Sequence, residues 1–294
     1  MNKIKYLTNS IKWDIKLEKR LESDKHLEKY GFKVYSQSDE DGIIEEIFNR
    51  IGTTNKKFIE FGVENGLESN SHYLLLKGWS GLWIEGSIEK YKEIKIKFKS
   101  AIANKKLTVT NAFIDKENIN ELISNSGIKG EIDFLSVDID GNDIYVWENI
   151  KVVNPRVVCI EYNGKIAPSS DWVQPYNPNH IWDGTDFVGS SLNYINKVAK
   201  KKGYILVGTN VSGVNAFFVR NDLCFFSLIC NCLHKRCNFF RISKKVVFDK
   251  VHFIIKLKYI GHSSWKIEFK DFFLRKGDRL RSRTDESGNA SGIS

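Results

Sequence analysis

No apolar run in the 294 residues is long enough to cross a bilayer. The first residues, Met1 to Leu7, lack the apolar stretch of a secretion signal. Five cysteines are an odd number, and four of them fall within 224–237, so nothing calls for disulfides. The expected compartment is therefore the cytoplasm, with reduced thiols. A paired C-x-x-C knuckle is missing as well. Cys224, Cys230, Cys232, His234 and Cys237 thus read as buried thiols ahead of a zinc site. There is no internal repeat. Nor is there a basic surplus over most of the chain: residues 1–220 carry 30 basic and 29 acidic side chains, against 15 and seven in residues 221–294. Nucleic acid is not an expected partner of so neutral a body. The basic, aromatic tail could lie on an anionic membrane surface, which would put the protein at the inner face of the membrane, or it merely solubilises the chain.

What is present starts with Phe58 to Gly66. Phe58–Phe61 read as a short buried strand, with Glu60 interrupting the apolar run where the strand should end. Gly62 and Gly66 frame a tight turn, and a helical pattern begins near Glu68–Asn70. Strand, glycine turn and helix make a place where backbone approaches a ligand closely. Such loops usually cradle phosphates on acid-free N–H groups. Here Glu60 and Glu64 flank the loop, with Asn65 between the acids and Gly66. An ammonium or sulfonium ligand suits it better, and S-adenosylmethionine (SAM) is the candidate.

The same grammar recurs along the chain. Residues 1–34 read as one or two amphipathic helices. Tyr35–Gly42 leads into a helix ending near Gly52, with Ser38 and Asp41 as its start signal. Gln37 stands either in a plain capped entry or at the mouth of the ligand site. Gly81–Glu85 is a second strand closing on an acid 25 positions after Glu60. At that place in nucleoside-binding sheets an acid accepts ribose hydroxyls. Residues 88–99 form a lysine-rich helix. Leu107–Phe113 is a third strand, whose Asn111 and Ala112 fall where an adenine should lie. Ile132–Asp140 is a fourth strand, running into Asp138 and Asp140. Two acids on one face repel unless a cation or proton intervenes. Asp140-Gly141 serves as a turn pair, but Asp138 has no such structural explanation. Arg156–Glu161 is a fifth strand, followed by Asn163. Asp138, Glu161 and Asn163 are the candidate ligands for magnesium, or they contact substrate with no metal. Residues 164–188 hold three of the four prolines and several aromatics, as a substrate loop or lid would. His180, its one histidine, is a general-base candidate or surface decoration. A helix from Gly189 and two strands joined by a short turn, Tyr204–Gly208 and Gly213–Val219, complete the pattern.

The expected fold is α/β: a doubly wound, Rossmann-like sheet of seven mostly parallel strands with a terminal antiparallel hairpin and helices on both faces. It resembles the class I SAM-dependent methyltransferases. Tyr35–Gly42, Phe58–Gly66, Gly78–Gly86, Ser136–Asp143, Cys159–Asn163 and Gly189–Leu192 together resemble the FkbM-like methyltransferases of bacterial polysaccharide and secondary-metabolite pathways. The resemblance spans about 35–220. It implies SAM contacts at Glu60, Gly62 and Glu85 and methyl transfer to a hydroxyl. It also implies a sugar or glycan-linked acceptor, as in capsule or lipopolysaccharide synthesis, and raises magnesium as a cofactor. The expected domains are a helical segment at 1–50, a SAM-binding domain at 51–220, a basic aromatic extension at 221–280 and a disordered tail at 281–294. Asp138, Asp140 and His180 are the candidate catalytic residues. One rival is a nicotinamide-dependent oxidoreductase or epimerase, which would want a second phosphate-friendly glycine and no Glu64. A scaffold without catalysis is the other. A base-methylating enzyme would carry an Asn-Pro-Pro-aromatic motif, absent here.

Overall fold

The computed structural model describes residues 24–224 and the backbone of three strands within 246–272. The chain divides into two compact units, Met1–Lys235 and Arg236–Ser294. In the first, helices and strands alternate: α1 (Glu40–Ile51), β1 (Lys57–Phe61), α2 (His72–Leu76), β2 (Ser80–Glu85), α3 (Ile88–Lys97), α4 (Lys99–Ala103) and β3 (Leu107–Asn111). Then come α5 (Ile119–Asn125), β4 (Gly130–Val137), α6 (Asp143–Asn149), β5 (Val153–Glu161), α7 (Leu192–Lys201), β6 (Tyr204–Thr209) and β7 (Asn215–Arg220). The strands form one sheet in the order β3-β2-β1-β4-β5-β7-β6. Six are parallel, and β7 lies antiparallel between β5 and β6. This is the Rossmann-like methyltransferase sheet that the sequence pattern predicts. The second unit holds β8 (Val246–Phe248), β9 (Val251–Tyr259) and β10 (Trp265–Phe272), an antiparallel sheet in the order β10-β9-β8.

Strand alternation divides the core in two. Ile59, Phe61, Leu82, Ile84, Leu135, Val137, Val158 and Ile160 face one side, under Ile119 and Ile123 of α5, Ile144 and Trp147 of α6 and Ile195 of α7. Phe58, Trp83, Phe134, Val157, Cys159 and Phe217 face the other, under Ile43, Ile44 and Ile47 of α1, Leu74 of α2 and Ile94 of α3. Both faces are covered, as a parallel sheet requires. Strand order reverses between β1 and β4, so a crevice opens beyond their carboxyl ends.

The amino ends of the strands are tied by a buried ion pair. Arg156 Nη1 of β5 donates to Asp133 Oδ1 of β4 at 2.6 Å, and both side chains are buried. Asp133 also accepts the N–H groups of Thr54, Asn55 and Lys56 at 2.6–3.0 Å. Arg156 reaches the carbonyls of Ile51 and Gly52, closing the end of α1. Burial opposes charge on Asp133. The Arg156 bond and the three N–H groups outweigh it and hold the carboxyl below its ordinary range.

Four sequence expectations change. Of residues 1–34, positions 1–23 lie outside the described residues, and the rest show only a 3-10 turn, Leu27–Tyr30, in place of a helix. The lysine-rich helix breaks at Phe98, which turns into the core between α3 and α4. The helix after the glycine turn starts later than Glu68–Asn70, at His72, because the preceding residues bond back to Glu60. Ser38 does not cap α1. Instead Glu40 accepts the Ser38 N–H at 2.8 Å, and Asp41 gathers the N–H groups of Val34, Tyr35 and Ser36 at 2.6–2.9 Å. Cys224 is half-buried with a free thiol. The other members of the cysteine–histidine group, and the tail at 281–294, lie outside the described residues. Among the described residues, no helix is long and apolar enough to cross a membrane.

Candidate active site

Register brings the strand-end acids onto one face. Glu60 pairs with Trp83 on β2 and Ser136 on β4, and Ser136 pairs with Cys159 on β5. Two residues on from these partners come Glu85, Asp138 and Glu161, so the three line the same side one layer further out. Beneath them Glu60 is spent locally. It is buried and accepts the N–H of Asn70 at 2.8 Å, the N–H of Ser71 at 2.9 Å and the Ser71 hydroxyl. Burial lifts its carboxyl to about 7 against the pull of those bonds. Asn70 donates on to Ser136 Oγ at 3.0 Å, and Trp83 Nε1 to Ser71 Oγ at 2.8 Å. Glu60 therefore shapes the floor of the crevice.

The glycine turn is set by close packing. Gly62 has φ +68°, and a Cβ there would fall 1.8 Å from the Asp138 carbonyl oxygen. At Gly66, φ +76°, a Cβ would fall 2.6 Å from the Trp83 ring. No side chain fits at either place, and the loop after β1 lies directly on the end of β4. Between the glycines, Glu64 sits at φ +48° with its carboxylate exposed, 3.7 Å from Lys90 Nζ. Asn65 accepts the Leu67 N–H at 3.1 Å and fixes the turn. Gln37 is exposed, and its carbonyl accepts from Lys33.

Glu85 is buried at the end of β2. It accepts the N–H of Ser87 at 2.8 Å. A carboxylate has about four acceptor positions, so some remain for a ligand. Burial pushes its carboxyl up, and the nearby N–H groups of Ser87 and Glu64 oppose the shift. Asn111 Nδ2 donates to the carbonyls of Glu85 and Gly86, and the Ala112 N–H donates to Glu85 O at 3.1 Å. These bonds lock the ends of β2 and β3 together beside the acid.

Across the switch point, carboxylate oxygens of Asp138, Asp140 and Glu161 lie within 4.8 Å of one another. Burial, then the charges of Asp143, Asp140 and Glu60, drive Asp138 well up. Burial, then Asp138, Asp143 and Asp140, does the same to Glu161. Asp140 has φ +55°, a strained setting for a non-glycine residue. Asp143 holds it there, accepting the Ile139 N–H at 2.7 Å and the Gly141 N–H at 2.8 Å. Asp143 closes the Ser136–Asp143 stretch of the resemblance, but its hold on the turn leaves no mark in residue spacing.

Asn163 is not in this cluster. Its amide donates to the carbonyls of Asp186 and Val188 and accepts the Lys165 N–H, so it clamps the loop instead. Asn142 Nδ2 clamps the same loop at Asn177 O, and Tyr145 at Gln174 O. So pinned, the loop lays His180 on Gly141: a Cβ on that glycine would meet His180 Nε2 at 2.6 Å. Nε2 is buried with no partner among the described residues. Trp182 and Phe187 of the loop are exposed, 51% and 79%.

No family model matches the chain, and no curated protein does. Solved structures do. An O-methyltransferase from Bacillus cereus in complex with SAH is 15% identical, over 63% of this chain and 82% of that one, with a TM-score of 0.41. Magnesium protoporphyrin IX methyltransferase from Synechocystis PCC 6803 with bound SAH is 13% identical over 62% and 81%, at 0.43. A SAM-dependent methyltransferase from Aquifex aeolicus is 12% identical over 60% and 87%, at 0.36. At these identities the likeness bears on nothing beyond the fold, which the strand order already establishes.

Proposed function

We propose that the chain is a SAM-dependent methyltransferase acting on a hydroxyl of a sugar or glycan-linked acceptor, as the FkbM-like resemblance implies. The observation that carries this reading is Glu85, a buried carboxyl near the switch point with acceptor positions to spare. Its surroundings fit a cationic nucleoside. Glu64 bears electrostatically on both Glu85 and Asp140, where a pyrophosphate would want bare N–H groups. When bound, SAM supplies a methyl group made electrophilic by its sulfonium.

The chain's own residues then divide the work. Glu85 accepts the ribose hydroxyls, and the locked Asn111–Ala112 segment supports the adenine. Gly62, Glu64, Asn65 and Gly66 form the turn over the nucleoside, Glu60 braces it from below, and Gln37 stands at the mouth. Asp138 and Asp140 orient the acceptor hydroxyl, and His180 Nε2 takes its proton. Asp138, Asp140 and Glu161 would hold a divalent cation such as magnesium, in place of the set with Asn163. Such an ion would lower the pKa of a bound hydroxyl. Exposed Trp182 and Phe187 offer flat faces to a sugar ring. A cytoplasmic role in bacterial surface-polysaccharide synthesis follows from the resemblance.

Glu85→Ala tests the reading. Two hydrogen bonds to a charged group, at about 1.5 kcal/mol each, predict a Kd for SAM raised about a hundredfold in calorimetry. Labelled methyl should pass from SAM to a neutral glycan with the wild-type chain. Unchanged affinity in the variant would remove Glu85 from the site; label on no hydroxyl of a glycan panel would remove the acceptor class.

A further inference from the structure

The lysine-rich stretch after β2 has no part in the site. α3 and the turn into α4 bury Ile94 and Phe98 and expose Lys92, Lys95, Ile96 and Lys99. Lys92 and Ile96 are four residues apart on α3, which places them on one stripe with Lys95 beside it, and Lys99 follows across the break at Phe98. Ile96 is 77% exposed amid these cations. After α4 the chain turns through Lys105 and Lys106. The Lys106 carbonyl accepts the Gly81 N–H at 2.9 Å, and the Lys56 carbonyl accepts the Ser80 N–H at 3.0 Å. Lys105-Lys106 and Lys56-Lys57 thus flank the start of β2, two strand spacings apart, about 10 Å.

All seven lysines are exposed, and none has an ion-pair partner among the described residues. The acids on α3 and beside it are occupied. Glu93 pairs with Lys97 at 2.8 Å, Glu64 faces Lys90, and Glu89 accepts the Ser87 hydroxyl at 3.1 Å. Since residues 1–220 are nearly neutral as a whole, this surplus is balanced by acids elsewhere, the crevice among them.

We propose that this face docks on an anionic phospholipid bilayer. Flexible ammonium groups meet headgroup phosphates as point charges, and a lone aliphatic side chain among them enters the acyl boundary. A nucleic-acid duplex would leave Ile96 without a place, and the face carries no arginine for base edges. α3 begins three residues after Glu85, and Lys90 lies beside Glu64 at the crevice rim. From there the chain runs through α3 and α4 to the amino end of β3, level with that of β1. Lys105-Lys106 and Lys56-Lys57 lie at these ends, so a docked bilayer covers the end of the sheet away from the crevice mouth. The inference stands apart from the methyl-transfer reading.

The test is sedimentation of the full chain with phosphatidylglycerol–phosphatidylcholine vesicles at 0.1 M salt, comparing wild type with K92E/K95E/K99E. The triple variant should lower the partition coefficient about a hundredfold. Ile96→Gln should weaken the binding that survives at higher salt. The melting temperature should hold, because these lysines are exposed and unpaired; if the triple variant melts lower, Lys92→Gln and Lys99→Gln answer singly. Equal binding by wild type and the charge variants overturns the proposal, since residues 221–294 then hold the vesicles. No binding by wild type, or tighter binding to duplex DNA than to vesicles, overturns it too.

Discussion

Asp138→Ala is expected to lower kcat for methyl transfer by roughly a thousandfold while SAM still binds. Asp138 stands where β4 ends, with its backbone against Gly62 and its carboxylate beside Asp140 and Glu161. Substitution removes the group that orients the acceptor and leaves Glu85 and the loop after β1 in place. Unfolding would not mimic this result. Asp138 is crowded by burial and by like charges, which raise its pKa above the unfolded value. Such a group contributes stability at low pH that is lost as pH rises through the folded value. Losing it relieves repulsion, so the variant should match or exceed wild-type stability above neutral pH in urea titrations. Retained turnover, or a variant that melts far below wild type, would contradict this role.

The largest loss of stability is expected at the amino ends of the strands, away from the crevice. Asp133→Ala strips Arg156 of its partner inside the protein and leaves three backbone N–H groups unsatisfied, at a cost of about 3–5 kcal/mol. The pH dependence has a definite sign. The carboxyl of Asp133 is held below its unfolded value of 3.8, so its stabilisation is present above that pH and fades as pH falls through the lower folded value. Urea midpoints of wild type and variant should stay a constant distance apart near neutrality and converge in acid. A gap that widens in acid would show that Asp133 is buried uncharged.

Strand ends were the legible part of the sequence, because an acid that interrupts an apolar run is visible in one dimension. Glu60, Glu85, Asp138 and Glu161 are all of this kind, and the strand–helix alternation around them gave the sheet. Side-chain allegiance was not visible. Glu60 and Glu85 look alike in sequence, yet the first is consumed by Asn70 and Ser71 and the second keeps free acceptor positions. Asn163 follows a strand-end acid as a ligand would, but its amide is claimed by loop carbonyls more than 20 residues on. The bond from Arg156 to Asp133 joins neighbouring strands through a face that periodicity marks only as buried. Asp143 has no role legible from spacing because helix starts commonly carry an acid. In each case the deciding partner is distant in the chain or is a backbone N–H, and neither leaves a mark in residue spacing.

Calorimetric titration of the wild-type chain with SAM, beside a titration with NAD, tests the central claim most directly. That claim is that the acid-lined crevice beyond β1, β2 and β4 receives a cationic nucleoside. One-site binding of SAM, weakened by Glu85→Ala, with no heat from NAD is the expected result. Binding of NAD with silence toward SAM would contradict the account, as would silence toward both.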